Sequence, residues 1–422
     1  VQSRKGNEPY KQFSAMDLTR SGADGKAFWH AESAAGPLWY QPQVVGRSRE
    51  DGRITEPEDI RQWNLTSLAC GARGILCPRW RPLLDGPLFG AFGGYGMDGL
   101  PTDRSRMAGK IARWVNDPQQ EELLKAEPVR GELGIIIAPK TQTTTFLLSR
   151  FGAEDHYKDA VMGVYQAFFD MGFQPDFVHI DHIDRYEKLY LPLPIQLDEA
   201  DISRLTQWVQ QGGILFSEGC PGYFNDLGKV RLPQAGDILS NLFGVHQNDV
   251  EFTPDLLENE ILELDGRKMY GGEYLQDYEC TGATCLARDD RGRVLLTVHS
   301  LGKGRAYLTG TSPAPGYSHH SDFIGQARFF EWATQAMELQ AWTKCSNPYL
   351  KARIQKNGED VYLWIINSSH QTQHSWISLS DSMQDRKPEK IYWPGGEIWQ
   401  SYYGLEVSLQ GRDALIVKLE KE

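Results

Sequence analysis

The sequence predicts an α/β chain in three parts: a pair of strand–helix units, an open sheet doubly wound with helices, and a small antiparallel β domain. Three observations carry this. Strand and helix patterns alternate from Ala27 to Val115, the order found in parallel sheets and barrels. The apolar run Leu133–Ala138 opens a second alternating series that extends to about residue 340. From Asn347 onward the hydrophobic period changes to two.

The totals fit such a chain. Its 422 residues exceed what one hydrophobic core serves, so two or three domains are expected. Twelve tryptophans suit a protein that handles carbohydrate, because an indole face complements the C–H face of a sugar. A formal charge of −12 argues against nucleic acid as a partner, which needs a basic face. No apolar run reaches the roughly 18 residues of a membrane span. Val1–Glu8 is polar and shows no signal peptide, so a cytoplasmic protein is expected, beginning partway through a longer gene product. Six scattered cysteines do not make a disulfide scaffold, and Cys280 and Cys285 have no second pair at zinc-site spacing. No cofactor or metal is expected: there is no Walker-type loop, and Gly90–Gly96 lacks the strand–helix setting of a dinucleotide loop.

In chain order, residues 1–25 read as polar loop with a helical turn near Phe13–Leu18. Ala27–Ala31 is a short strand that ends at Glu32, and Ser33–Pro37 is a small-residue turn. A carboxylate at the carboxyl end of a parallel strand stands where (β/α)8 enzymes carry out their chemistry. Trp29 and Trp39 flank it. An ordinary strand end with an exposed Glu has the same pattern. Thr55 and Glu58 have the capping-box spacing, with Pro57 in the first turn, so a helix is expected from there to Gly71. Gly74–Trp80 is the next strand, Leu83–Leu100 a Gly-rich loop, and Asp103–Val115 a helix. A closed barrel has eight such units in roughly 250 residues. Residues 1–125 are therefore expected to be the last two, with the first six upstream of Val1.

The next part, 133–340, reads as a flavodoxin-like doubly wound domain. Its strands are Leu133–Ala138, Asp176–Ile180, Tyr190–Pro194 and Ile214–Ser217, and Val294–Val298 forms a hairpin with Arg305–Thr309. Its helices are Tyr157–Met171, one capped by Asp198, and Phe323–Met337. The tail 347–422 alternates short strands with turn residues, as an antiparallel β domain does.

These segments carry a resemblance. Phe28-Trp-His-Ala-Glu32-Ser-Ala-Ala-Gly-Pro37 resembles the P-F-W-x-M-E-x-x-P-G-P stretch of glycoside hydrolase family 42 β-galactosidases. Gly71-Ala-Arg-Gly-Ile-Leu-Cys-Pro-Arg-Trp80-Arg is similar to that family's G-A-x-G-x-x-Y-F-R-W-R strand. Gly212-Gly-Ile-Leu-Phe, Phe243-Gly-Val and Gly302-Lys-Gly resemble its trimerisation domain. The resemblance implies a retaining glycosidase acting on β-galactosides or a related sugar, in which two carboxyls flank the scissile bond about 5–5.5 Å apart. It implies Glu32 as nucleophile, Trp39 and Trp80 as substrate-binding residues, an acid/base Glu in a barrel part absent from this chain, and a homotrimer. The family's Glu-x-x-His in the loop after the last Trp is replaced by Leu88-Phe89-Gly90-Ala91, which puts galactose specificity in doubt.

Two other classes compete. Cys220 follows a short strand, as the nucleophile of class I amidotransferases does, with His319-His320 as a candidate base. Yet Glu218 stands where that elbow needs a glycine, and no Glu follows the histidines two residues on. A structural thiol is the reading favoured there. The chain also reads as a non-catalytic assembly or carbohydrate-binding piece of a larger enzyme.

Overall fold

The computed structural model describes residues 6, 8–37, 53–86, 88–149, 156–232, 237–252, 260–264, 267–272, 274–319, 324–402 and 404–421. The chain divides into two compact units, one of Val1–Arg130 with Ala341–Glu422 and one of Gly131–Gln340.

The first unit opens on helix α1 (Tyr10–Ala23), a full helix where the sequence predicts a single turn. Its buried face mixes Phe13 and Met16 with Gln12, Ser14 and Asp17, so no apolar stripe announces it. Strand β1 (Trp29–His30) is followed by α2 (Pro57–Ala69), β2 (Gly74–Ile75), α3 (Asp103–Val115), α4 (Glu121–Lys125) and β3 (Glu127–Pro128). The cap of α2 differs from the expected one. Glu56 is the capping residue and exchanges hydrogen bonds with Asp59, whereas the Thr55 hydroxyl donates to the Gly36 carbonyl 2.8 Å away. A Glu in that role leaves the usual Ser/Thr signature unread.

The second unit runs β4 (Gly134–Ile137), α5 (Pro139–Ser149), α6 (His156–Asp170), β5 (Asp176–His179), β6 (Lys188–Leu191), α7 (Glu199–Gln210), β7 (Ile214–Ser217) and α8 (Ile238–Leu242). Strands β8 (Val245–Phe252), β9 (Glu260–Leu264), β10 (Arg267–Tyr270), β11 (Tyr274–Cys280), β12 (Thr284–Arg288), β13 (Val294–Leu301) and β14 (Gly304–Thr309) follow, then α9 (Pro313–His319) and α10 (Ile324–Ala336). Parallel strands stand in the order β5-β4-β6-β7-β14, and β13, β11 and β8 extend the sheet antiparallel. The sequence reading assigns no strands between 245 and 288. The outer strand there, Val-His-Gln-Asn-Asp-Val-Glu-Phe, is too polar to resemble the buried parallel strands. Gly163 of α6 lies so close to α9 that a Cβ would sit 1.8 Å from the Ala314 carbonyl oxygen.

The tail rejoins the first unit. Its strands are β15 (Thr343–Cys345), β16 (Leu350–Asn357), β17 (Asp360–Asn367), β18 (Gln373–Leu379), β19 (Arg386–Pro394), β20 (Gly396–Ser401), β21 (Gly404–Leu409) and β22 (Asp413–Lys421). They form one sheet ordered β15-β18-β21-β20 and another ordered β19-β22-β17-β16-β3. Ile354, Leu363, Ile377, Val407 and Val417 are among the alternating residues that fill the core between them. The opposite face of the second sheet meets the helices. Gln355 donates to the carbonyls at the end of α2, Leu68 and Ala69, and the buried Arg353 guanidinium donates to Asp17 of α1 at 2.7 Å.

Candidate functional site

Glu32 owes its place to the β1–β2 pair. The two strands are parallel, with Trp29 opposite Gly74 and His30 opposite Ile75. Hydrogen bonds continue past the formal strands, from Arg73 N–H to the Phe28 carbonyl, Leu76 N–H to His30, and Ser33 N–H to Leu76. The chain is thus held in register up to Ser33, directly after Glu32. Glu32 lies exposed at the carboxyl end of β1, beside the segment Leu76–Trp80 that leaves β2.

A buried polar chain fixes this end of β1 from below. The Ser67 hydroxyl lies 2.9 Å from the Trp63 carbonyl oxygen, and His30 Nδ1 hydrogen-bonds the Ser67 hydroxyl at 2.8 Å. Burial pushes the His30 pKa down to about 4, so the imidazole is neutral at pH 7. Ser33 donates to Asn64 Oδ1 at 2.9 Å and also hydrogen-bonds the Cys77 thiol, which burial pushes upward. Asn64 and Ser67 are buried residues of α2. Their function is to position β1, and their only sequence signal is polar residues on an otherwise apolar helix face.

Beside the strand ends lies a cavity of about 600 Å³, lined by Trp29, Asn64, Cys77, Arg79, Trp80 and Tyr95 among others. Trp29 is 57% exposed and lies across Gly74, where a Cβ would come within 2.5 Å of the indole. Trp80 is 60% exposed, with Tyr95 edge-on at 6.3 Å and the Arg81 guanidinium 5.4 Å from its ring centre. The cavity therefore gathers two exposed indoles. Glu32 is not among its lining residues, and Trp39 lies outside the described residues. Phe89, in the segment that replaces the family's Glu-x-x-His, is exposed, while Ala91 is buried.

The second unit offers a different constellation. Cys220 is buried, with a left-handed φ of 56°, and its N–H donates to Gln276 Oε1 at 2.6 Å. The space it borders is about 20 Å³, no more than a water's worth. Glu218 is fully buried and accepts from Ser312, Tyr190 and the Ala314 N–H. It holds α9 to the sheet, so the residue at the elbow position is part of the core. The His319 side chain and His320 lie outside the described residues. Among the described residues none of the six cysteines is joined to another by a disulfide. Among the described residues no helix is long and apolar enough to cross a membrane.

Comparison with known proteins now bears on this geometry. The sequence profile described as the β-galactosidase trimerisation domain matches residues 137–328. The β-galactosidase LacZ of Heyndrickxia coagulans is 23% identical over 374 residues, covering 86% of this chain and 52% of that protein. The β-galactosidase BgaB of a Geobacillus species is 22% identical over 433 residues, covering 98% of this chain and 58% of that protein. A crystal structure of a β-galactosidase from Bacillus circulans sp. alkalophilus superposes with a TM-score of 0.77 at 16% identity, over 97% of this chain and 58% of that one. The chain resembles the C-terminal part of the family 42 β-galactosidases, in mixed α/β structure and antiparallel sheets alike. It spans about half the length of the curated relatives it matches.

Proposed function

We propose that the complete protein is a retaining glycoside hydrolase of β-galactosidase type, with Glu32 as its nucleophile and a second carboxyl, outside this chain, as acid/base. The observation that carries the reading is the parallel, in-register β1–β2 pair, which brings Glu32 to the carboxyl ends of adjacent strands. On this reading residues 1–125 are the last two βα units of a (β/α)8 barrel, and 133–340 is a flavodoxin-like doubly wound domain that assembles the enzyme as a trimer. Residues 347–422 are its antiparallel β domain. Trp80 and Trp39 would stack on the sugar, and terminal β-galactosides or related sugars would be the substrates, with specificity altered by Leu88–Ala91.

The chemistry divides between two carboxyls. An ionised Glu32 attacks the anomeric carbon while a protonated partner gives its proton to the departing oxygen. Water, activated by that same partner, then releases the glycosyl-enzyme ester. One carboxylate cannot serve both ends of the bond, so the 422 residues alone are expected to be inactive. In the full-length enzyme, Glu32→Gln should lower turnover by several orders of magnitude, and a 2-fluoroglycoside should label Glu32 in a peptide digest. A label on another residue, or near-normal turnover of the variant, refutes the assignment.

A further inference from the structure

The outer sheet of the tail carries a group of side chains that the glycosidase reading does not use. Trp376 of β18 and Trp399 of β20 stand directly opposite Glu406 of β21, one on each side. Trp399 Nε1 donates to Glu406 Oε2 at 2.7 Å, and the Trp376 side chain hydrogen-bonds the same carboxylate. These bonds hold the Glu406 carboxyl below its usual range, so it is an anion at neutral pH. The indoles are nonetheless 54% and 43% exposed. Their polar edges are satisfied within the protein, and their apolar faces are left to solvent.

Flanking positions on the same face are polar. Ser408 and Glu397 pair across β21 and β20 on one side of the row, and Ser401 faces Gly404 on the other. Tyr402, in the turn between these strands, is 94% exposed. This sheet is also the one turned away from the helices. It is the other sheet of the sandwich that meets α1 and α2, through Arg353 and Gln355, and the core between the two sheets separates this face from that contact.

We propose that this face is a binding site for a neutral polysaccharide chain, with Trp376 and Trp399 as stacking platforms and Glu406 as the acceptor between them. The chemistry selects such a ligand on three counts. Two strand spacings set the platforms about 10 Å apart, the reach of a short oligosaccharide. Indole faces take the C–H face of a pyranose, which is apolar and slightly positive. The carboxylates of Glu406 and Glu397 accept hydroxyl protons and repel an anionic chain, so charge complementarity excludes acidic polymers. A protein partner with a plain apolar surface would leave Glu406 desolvated without new donors. The site stands whether or not Glu32 is the nucleophile, because retention on a polymer requires no turnover.

The test is affinity electrophoresis of the 422-residue chain in gels containing soluble β-1,4-galactan, hydroxyethyl cellulose or polygalacturonate. Retardation by at least one neutral polymer is expected, and none by polygalacturonate. Trp376→Ala and Trp399→Ala should each weaken the apparent affinity at least tenfold, and the pair together should abolish it. Circular dichroism and the thermal transition of each variant check that these exposed substitutions leave the fold intact. The proposal is overturned if neither neutral polymer retards the chain, if the double variant is retarded as the wild type is, or if polygalacturonate alone retards it. It is overturned equally if the double substitution lowers the mass measured by light scattering, which would make the face an interface between copies.

Discussion

Acid should loosen the strand that carries Glu32, through His30. In the folded chain burial lowers this imidazole to about 4, whereas an unfolded chain has it near the ordinary value of 6.5. Between those values the unfolded state binds the extra proton, so stability falls as pH falls, and the full contribution is retained above about 6.5. The difference of about 2.5, at roughly 1.4 kcal/mol for each pH step, sets a ceiling of about 3 kcal/mol. Partial solvent access and relaxation around a charged imidazole reduce the expected loss to roughly 2 kcal/mol. His30→Gln is the perturbation, since its side-chain N–H can still donate to Ser67 and it cannot titrate in this range. Urea midpoints followed by Trp fluorescence at pH 7, 6, 5 and 4.5 should show the wild type losing about 2 kcal/mol more than the variant over that span. An NMR titration of the imidazole gives the same quantity directly. A His30 midpoint near 6.5, or identical pH slopes in the two proteins, refutes the claim that the imidazole is held neutral by burial.

The pair Arg353–Asp17, both almost wholly buried, joins the tail to α1. Arg353→Met removes the guanidinium 2.7 Å from the buried Asp17 carboxylate and should cost about 3–5 kcal/mol, and Arg353→Met with Asp17→Leu should recover most of that in urea melts. A single variant as stable as the wild type would show that the pair contributes little to joining the two segments. The full-length protein should be a trimer by light scattering at micromolar concentration, and a stable monomer would count against the assembly reading.

Local sequence made much of this protein legible. Parallel strands buried on both faces read as apolar runs, which is why Gly134–Ile137 and Ile214–Ser217 stand close to where they are expected. The helices at Pro57–Ala69, His156–Asp170 and Glu199–Gln210 are bounded by proline, glycine and acidic caps within a residue or two of the expected ends. Glu32 at a strand end was legible for the same reason, since a short apolar run followed by small residues is a local pattern. Tertiary structure alone decided the rest. Helix α1 hides because the partner of its buried Asp17 is an arginine 336 residues away, so a charged residue sits where the apolar period demands a hydrophobic one. The neutral state of His30 depends on its burial, against a helix whose Ser67, 37 residues on, meets its Nδ1. The Trp376–Glu406–Trp399 row exists only once three strands pair in register. Periodicity reports which face of an element is apolar. It carries no record of which polar groups will meet on it, because hydrogen bonds and ion pairs between distant segments are set by register and packing.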